Sequence, residues 1–295
     1  MSTNRQSLPT PRRQDFRFFH RMRVRWAEVD MQKIVFNAHY LMYLDTAISD
    51  YWRALALPYA QTMHVLGGDL YLRKANVEFQ ASARWDEQID VALKCARLGT
   101  SSMSFEGAIF RGDDLLITAE LVYVFADPAT QTSRPIPEAL RQVLIDYEEG
   151  RTVLQEQLGP WSSMPDGLRT LRRAVFIQEQ GVPEELEWDE ADQTALHGLT
   201  VNALGMPLAT GRLLAPAPGV ARIGRLAVHA AMRGSGLGQN MVARLMAAAR
   251  DRGDREVVLD AQCQAQGFYV GLGFVARGPV FMEAGIEHVE MVRTL

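Results

Sequence analysis

Hydrophobic and polar residues alternate along most of the first half of the chain. This period of two predicts antiparallel strands, because successive residues of a strand face opposite sides of a sheet. Four such segments follow one another, at 75–79, 88–98, 102–111 and 115–126. A shorter alternating stretch at 16–26 predicts a strand before them, and we expect Asp113 and Asp114 to form the turn between the last two.

An amphipathic helix interrupts this alternation. Its apolar positions recur at three- and four-residue spacing and are Tyr40, Tyr43, Leu44, Ala47, Ile48, Tyr51, Trp52 and Leu55. They trace one stripe, so one face of the helix is buried. Asn37 precedes the stripe, where its side-chain oxygen can cap the helix, and Pro58 follows its end. A long helix against an antiparallel sheet predicts an α+β fold for this half.

The second half has a different pattern, so the chain is not an internal duplication. We expect a helix at 168–180, strands near 195–203, 206–214, 221–228 and 257–259, and an amphipathic helix after residue 238. These elements form a mixed α/β domain. The segment between the halves is rich in glycine, proline and serine, which is typical of a loop or linker. We therefore predict a flexible arm at 1–15, a first domain at 16–148, a linker at 149–165 and a second domain at 166–295.

The composition limits the classes of function that the chain can have. The chain has 295 residues, 47% of them hydrophobic, which is enough for two cores. A net charge of −4 provides no bulk positive field, so we expect no nucleic-acid partner. Cys95 and Cys263 lie far apart, which favours a reducing cytoplasm and indicates neither a disulfide nor a metal site. Neither a signal peptide nor an apolar run of about 20 residues is visible, so we expect no stable membrane insertion.

Arginines cluster near the N-terminus. They are Arg5, Arg12, Arg13, Arg17, Arg21, Arg23 and Arg25. They can form either a solvated leader or a phosphate-binding arm, and the sequence leaves both open.

Asp30 lies on the loop that precedes the amphipathic helix. A carboxylate there can attack a thioester or activate water, while the backbone N–H groups of the helix N-terminus stabilise the oxyanion that develops. An aspartate before a helix can also be a simple cap.

A family resemblance bears on that choice. The segment from Arg25 to Tyr40, RWAEVDMQKIVFNAHY, resembles the signature of 4-hydroxybenzoyl-CoA thioesterase-like hotdog enzymes, as do VEF at 77–79 and RLGTSS at 97–102. The resemblance covers roughly residues 16–130. It implies a hotdog fold, Asp30 as catalytic carboxylate, acyl-CoA as substrate, and a homo-oligomer, dimer or tetramer, built through this domain.

The sequence departs from that family at two places. Met31, Gln32 and Lys33 stand where small residues and a glycine are common, and Asn37 stands where many members have histidine or tyrosine. Asn37 can hydrogen-bond a substrate carbonyl or a water, or only cap the helix. We expect His39 and His64 to be structural. Glu78 is a second candidate acid.

A glycine-rich loop, RGSGLG at 233–238, precedes the amphipathic helix of the second half. Glycines let the backbone approach a pyrophosphate, and the helix N-terminus offers unpaired N–H donors. A turn without a ligand is the alternative. The loop lacks the ending of a P-loop, and it falls too deep in the domain for a Rossmann fingerprint.

With GRLAV at 224–228, Gln262, and FYVGLGF at 268–274, the region from 165 to 295 resembles the GNAT superfamily of N-acyltransferases. The segment 175–183, Asp189, Asp192 and His197 resemble a bacterial subgroup of it. The resemblance implies acetyl-CoA or acyl-CoA as a substrate, with no tightly bound cofactor. The implied cofactor-binding residues are Leu226, Ala227 and Val228 for the pantetheine arm and Arg233, Gly234, Ser235, Gly236, Leu237 and Gly238 for the pyrophosphate.

In this resemblance Tyr269 protonates the departing CoA thiolate, although it can also be a core aromatic residue. Arg225 stands where some members have a glutamate that acts as base, so Glu179, His197 and Asp260 remain candidates. Arg212 and Arg225 can bind an acidic acceptor or pair with nearby carboxylates.

The leading hypothesis is a bifunctional enzyme that hydrolyses acyl-CoA in its first half and transfers an acyl group from CoA to an unidentified amine in its second. One alternative makes the second half a degenerate acyl-CoA sensor that regulates the thioesterase. Another makes the first half a non-hydrolytic binding or dimerisation module.

Overall fold

The structure is a computed structural model that describes residues 10–295. The chain divides into two compact units, one ending at Val153 and the other beginning at Leu154. Each unit has a sheet of its own. Among residues 10–295, no helix is both long enough and apolar enough to cross a membrane.

The first unit contains an antiparallel five-stranded sheet. Its strands are β1 (Phe18–Arg23), β2 (Asp69–Phe79), β3 (Gln88–Leu98), β4 (Ser102–Arg111) and β5 (Asp114–Ala126), in the spatial order β1-β3-β4-β5-β2. The alternating segments therefore form strands, as predicted. The turn between β4 and β5 was placed one residue too late: Arg111 pairs with Asp114, so Gly112 and Asp113 form it and Asp114 belongs to the ladder.

Three helices accompany this sheet, α1 (Asn37–Ala54), α2 (Tyr59–Leu66) and α3 (Glu138–Glu148). The apolar stripe of α1 is buried, which confirms the predicted face. The ring of Tyr51 packs edge-on against Phe18 and Phe105, with 5.4 Å between centroids in each pair. The cap assigned to Asn37 is wrong, because Asn37 is already helical and Phe36, which makes no side-chain cap, precedes the helix.

The N-terminal arginines are used within the first unit. Arg13 and Arg21 both donate to the carboxylate of Asp90, at 2.6 and 2.7 Å, and their hydrogen bonds hold the pKa of Asp90 below its usual range despite its burial. Residues 1–9 of the predicted arm, Arg5 included, lie outside the described residues. From Arg13 onward the chain is part of the folded unit, which corrects the predicted arm of 1–15.

The second unit contains a seven-stranded mixed sheet. Its strands are β6 (Leu154–Pro160), β7 (Leu196–Asn202), β8 (Pro207–Ala217), β9 (Val220–Val228), β10 (Glu256–Gln262), β11 (Val275–Glu283) and β12 (Ile286–Thr294), in the order β11-β12-β10-β9-β8-β7-β6. Only β9 and β10 pair in parallel. Strand β6 lies inside the predicted linker, 149–165, which is a correction. Gly159 and Pro160 suggested a linker in the sequence. In the structure they are the last two residues of an edge strand, where proline is tolerated.

The helices of this unit are α4 (Asp166–Arg172), α5 (Glu184–Glu187), α6 (Leu237–Arg252) and α7 (Gln266–Gly271). The helix predicted at 168–180 is α4 followed by a π-helical segment, Arg173–Glu179. Helix α6 packs closely on the sheet. A Cβ atom at Gly211 would lie 2.7 Å from Cδ1 of Leu245, so a larger residue at that position of β8 would have to displace the Leu245 side chain.

Candidate active sites

Asp30 lies on a tight loop before α1. Its N–H donates to the Ile34 carbonyl at 2.9 Å, and its carbonyl accepts from the N–H of Lys33 at 3.0 Å. The carboxylate oxygen Oδ1 accepts from the N–H of Gln32 at 2.8 Å, and the side chain is partly exposed. The loop therefore holds the carboxylate at the surface and engages one of its oxygens.

A second carboxylate fixes this loop to α1. Glu28 is 3% exposed, and its Oε2 accepts from the Tyr43 hydroxyl and from the N–H of Arg25, both at 2.7 Å. Burial disfavours the charged form, but the hydrogen bonds from Arg25 and Tyr43 outweigh it and lower the pKa of Glu28. The Glu28 carbonyl also accepts from the N–H of Phe36 at 2.9 Å. Glu28 was not among the residues predicted from the sequence, because nothing near it in sequence signals Tyr43 as its partner.

Large apolar side chains are exposed on and beside this loop. Trp26 is 72% exposed, and its ring lies edge-on to Trp85 with 5.6 Å between centroids. Met31 and Phe36 are exposed as well. Contiguous exposed apolar side chains mark binding surfaces more often than isolated ones do. The Asp30 loop therefore has apolar surface beside it for a ligand or a partner.

The other candidates of the first unit lie on α1, α2 and β2. The ring of His39 packs against Phe36, with 6.0 Å between centroids. His64 is exposed in the last turn of α2, and Glu78 is exposed on β2. Asn37 is exposed at the first position of α1. The hydrogen bonds and ion pairs of the described residues connect none of the four to Asp30.

A cavity of about 1020 Å³ opens in the second unit where β9 and β10 separate. The two strands pair only from Val220 to Arg222 and from Glu256 to Val258. Most of the residues predicted to bind CoA line this cavity: Leu226, Ala227, Val228, Arg233, Gly234, Gly236, Leu237, Gly238 and Tyr269. The fold thus brings together residues that are more than 40 positions apart in the sequence. Ser235 does not line it, and its hydroxyl donates to the Met232 carbonyl at 2.6 Å.

The glycine loop ends at the first turn of α6. Gly236 has a φ of 85° and caps α6 without a side-chain hydrogen bond, so the first N–H groups of the helix face outward uncapped. Uncapped N–H groups at a helix N-terminus favour an anion. Arg233, at the start of the loop, makes two hydrogen bonds of 2.7 and 2.6 Å to Glu179, and this pairing lowers the pKa of Glu179.

Tyr269 lies on α7 and lines the cavity. Its ring packs edge-on against Phe268 and Phe274, with centroid distances of 4.9 and 5.9 Å. Burial raises the pKa of Tyr269 to about 12. The phenol therefore keeps its proton at neutral pH and can donate it to a leaving group.

The three candidate bases differ in position. Glu179 is held by Arg233. His197 is buried, with Nε2 2.9 Å from the Asp192 carbonyl; burial lowers its pKa, and it does not line the cavity. Asp260 does line the cavity, forms an ion pair with Arg222, and has its pKa raised by burial. Of the three, only Asp260 is a carboxylate that lines the cavity.

Arg212 and Arg225 pair with carboxylates of the chain itself. Arg212 donates to Asp189 at 2.6 Å and to Asp192 at 2.9 Å. Arg225, which has a φ of 50°, lies 3.1 Å from Glu187. Both arginines line the cavity, but internal partners already neutralise them.

Arg172 completes this ionic cluster, and the sequence analysis missed it. It is 1% exposed and pairs with Glu187 and with Asp192, the latter at 2.8 Å. The signal was a charged residue next to Leu171 on the buried face of a helix, since charged side chains are rarely fully buried unless they are paired. No group of three or more His, Cys, Asp or Glu residues within 10–295 is arranged to hold a metal ion.

The two sheets and the residues gathered on them define a two-domain α+β protein of the acyl-CoA-handling class. The family model of the thioesterase-like superfamily matches residues 24–144, and that of the acetyltransferase (GNAT) domain matches residues 170–295. The chain therefore belongs to the acetyltransferase (GNAT) family through its second unit, and its first unit matches the thioesterase-like superfamily. Both resemblances drawn from the sequence are confirmed.

Individual relatives each match less than half of the chain. The uncharacterized protein YyaT of Bacillus subtilis is 35% identical over 127 residues, which are 42% of this chain and 85% of YyaT. An acyl-CoA N-acyltransferase from Pseudomonas aeruginosa is 34% identical and covers 48% of this chain and 99% of its own, with a TM-score of 0.44. A 1,4-dihydroxy-2-naphthoyl-CoA thioesterase from Synechocystis is 19% identical and covers 44% and 96%, with a TM-score of 0.41.

Proposed function

We propose that the first unit hydrolyses acyl-CoA thioesters through Asp30 and that the second transfers an acetyl or acyl group from CoA to an amine. The observation that carries the transferase part of the proposal is the cavity between β9 and β10. Its lining combines the backbone of 226–228, the glycine loop and Tyr269. CoA needs such a combination of extended backbone, anion site and proton donor.

In the proposed hydrolysis, Asp30 acts in one of two ways. Its carboxylate removes a proton from water while the water oxygen attacks the thioester carbonyl, or it attacks the carbonyl itself and forms an anhydride that water then cleaves. The C–S bond breaks in both cases, and the CoA thiolate takes up a proton. The uncapped N–H groups of α1 are suited to stabilise the oxyanion, and Asn37 at its first position can contact the carbonyl.

The test of the hydrolase is CoA-thiol release from a panel of acyl-CoAs without an amine. Asp30→Asn keeps the shape of the side chain and removes the charge, so the rate should fall by about 100-fold or more. Asp86→Asn is the matched control, since Asp86 is an exposed loop residue of the same unit with a φ of 66°, which asparagine tolerates. Full hydrolysis by Asp30→Asn would leave the first unit as a binding or dimerisation module.

A single turnover in ¹⁸O-labelled water identifies an anhydride that water cleaves at the Asp30 carbonyl. If the carboxylate activates water, the free acid carries the label after one turnover. If the carboxylate attacks and water then cleaves the anhydride at the Asp30 carbonyl, the label enters Asp30 and the first acid released is unlabelled. Mass spectrometry of the product and of the peptide that contains Asp30 reads both outcomes.

In the proposed transfer, the loop 233–238 binds the pyrophosphate and the backbone of 226–228 holds the pantetheine arm. Gly236→Ala should raise KM for acetyl-CoA, because a φ of 85° is strained for alanine. Gly271→Ala is the control, because a Cβ atom there meets no neighbour. An unchanged KM in Gly236→Ala would contradict the assignment of the loop.

One alternative for the second unit has an observation in its favour. Strand β9 offers no free carboxylate, because Arg225 stands where some members of the family have a glutamate and it pairs with Glu187 and Asp189. A degenerate domain that senses acyl-CoA and regulates the thioesterase would need no base. Steady-state transfer of an acyl group to an amine would eliminate this alternative.

We also propose a homo-oligomer, a dimer or a tetramer, that assembles through the first unit. Strand β2 lies at the edge of the sheet and exposes Leu72 and Phe79. An apolar edge strand favours pairing with another chain. Light scattering should give a multiple of the chain mass for the wild type and a lower mass for Leu72→Lys, and a monomeric wild type would refute the assembly.

A further inference from the structure

Asp260 lies at the point where the cavity of the second unit opens. It is two residues beyond Val258, the last residue of β10 that pairs with β9. Its side chain lines the cavity and is 28% exposed. A carboxylate at this position is within reach of a ligand and is still partly shielded from water.

Charged groups from three strands face Asp260. Arg222 on β9 forms an ion pair with it, while Glu283 on β11 and Glu290 and His288 on β12 act on it through their charges. Burial and the two glutamates disfavour its ionised form, and Arg222 favours that form, with a raised pKa as the net result. A carboxylate of raised pKa is a better proton acceptor than an ordinary aspartate.

Glu187 and Asp189, which also line the cavity, each form ion pairs with two arginines, whereas Asp260 pairs with one. Glu187 is paired with Arg172, and Asp189 with Arg212. Glu283 lines the cavity beside Asp260, and no salt bridge between described residues involves it. This part of the cavity therefore presents two carboxylates, Asp260 and Glu283, with Arg222 as their main cationic counterpart.

We propose that Asp260 accepts the proton of the acceptor ammonium, and that Asp260 and Glu283 together select an acceptor that is a cation without a carboxylate. The proposal rests on the acyl transfer proposed above. Asp260 takes one proton from the ammonium, and the freed lone pair forms the C–N bond at the thioester carbonyl. The C–S bond breaks, and the thiolate takes a proton from Tyr269. The nitrogen then releases its second proton, which restores Tyr269, and Asp260 returns the first to water.

The experiment measures acetyl transfer from acetyl-CoA to 1,4-diaminobutane and to β-alanine by the full chain. The wild type should acetylate the diamine at least about 10-fold faster, because two nearby carboxylates repel the carboxylate of β-alanine. In Asp260→Asn, kcat for the diamine should fall about 100-fold at neutral pH and recover toward pH ~10, where solvent deprotonates the amine. KM for acetyl-CoA should stay within twofold, which also reports an intact cavity.

Two further variants keep the test decisive. Asp260→Glu should restore most of kcat, because it returns the carboxylate. Glu287→Gln should leave kcat unchanged, since Glu287 is exposed on β12 and does not line the cavity. Full transfer by Asp260→Asn at neutral pH would overturn this inference and leave the proposed transferase standing. Transfer to neither amine by a wild type that binds acetyl-CoA would overturn it together with the proposed transferase.

Discussion

The substitution Tyr43→Phe should lower the free energy of unfolding of the first unit by about 2 kcal/mol. The Tyr43 hydroxyl donates to Oε2 of Glu28 at 2.7 Å, and both side chains are buried. A hydrogen bond to a charged group contributes about 1.5–3 kcal/mol. The carboxylate keeps the two hydrogen bonds from Arg25, which holds the expected loss below the upper end of that range.

The effect of this substitution should depend on pH. The pKa of Glu28 is lowered in the folded state, so its contribution to stability is complete above the pKa of an unfolded glutamate, about 4.3, and is lost as pH falls through the folded pKa. Without the hydroxyl of Tyr43, the folded pKa rises toward the unfolded value. The difference between wild type and variant should therefore be largest above pH ~5 and shrink in more acidic buffer.

Pulsed hydrogen exchange at increasing urea concentrations measures this unit within the full chain, because peptides of α1 report it separately from the second unit. Tyr147→Phe is the control, since it removes a hydroxyl from α3 for which the described residues supply no hydrogen bond. It should cost less than about 0.5 kcal/mol. If Tyr43→Phe costs no more than this control, the argument that Glu28 anchors the Asp30 loop is refuted.

Three further predictions concern the second unit. Gly211→Val should cost about 1–3 kcal/mol in urea unfolding, because a Cβ atom would lie 2.7 Å from Leu245, whereas Gly271→Ala should cost nothing. Arg172→Met should cost about 3–5 kcal/mol in the same assay, because it leaves buried carboxylates unpaired. Tyr269→Phe should slow acetyl transfer at least about 10-fold. Because burial raises the pKa of Tyr269 to about 12, the pH–rate profile of the wild type should show no decline from deprotonation of Tyr269 below pH ~9.

The pattern of the sequence predicted those elements that have one buried face. Helix α1 buries one face, and burial alternates along β4 over 102–107 and along β5 over 121–125, so their period is visible in the residues themselves. Strand β11 is exposed along its whole length and was not predicted, because no alternation marks it. The π-helical segment after α4 was read as ordinary helix, since a single turn of wider spacing hardly changes the pattern of apolar residues.

The candidate sites were predictable where the chemistry is local. Glycines before a helix are a local pattern that permits an anion site, so the loop at 233–238 could be proposed from the sequence. Glu28 and Arg172 were harder to recognise, because Tyr43, Glu187 and Asp192 lie 15 or more residues from them and only the fold brings these pairs together. Long-range ionic pairing leaves no period in the sequence, so the residues that hold a site in place are harder to predict than those that contact a ligand.

A strained residue lies at each candidate site. Lys33, beside Asp30, has a φ of 62°, and Arg225, on the cavity strand β9, has a φ of 50°. Such a left-handed conformation costs a residue with a side chain about 1–2 kcal/mol. Hydrogen bonding of Lys33 to the Asp30 carbonyl and ion pairing of Arg225 with Glu187 offset that cost. Lys33 belongs to the segment 31–33, where the hotdog family commonly has small residues and a glycine. The loop therefore adopts, at a lysine, a backbone conformation that glycine adopts without steric cost.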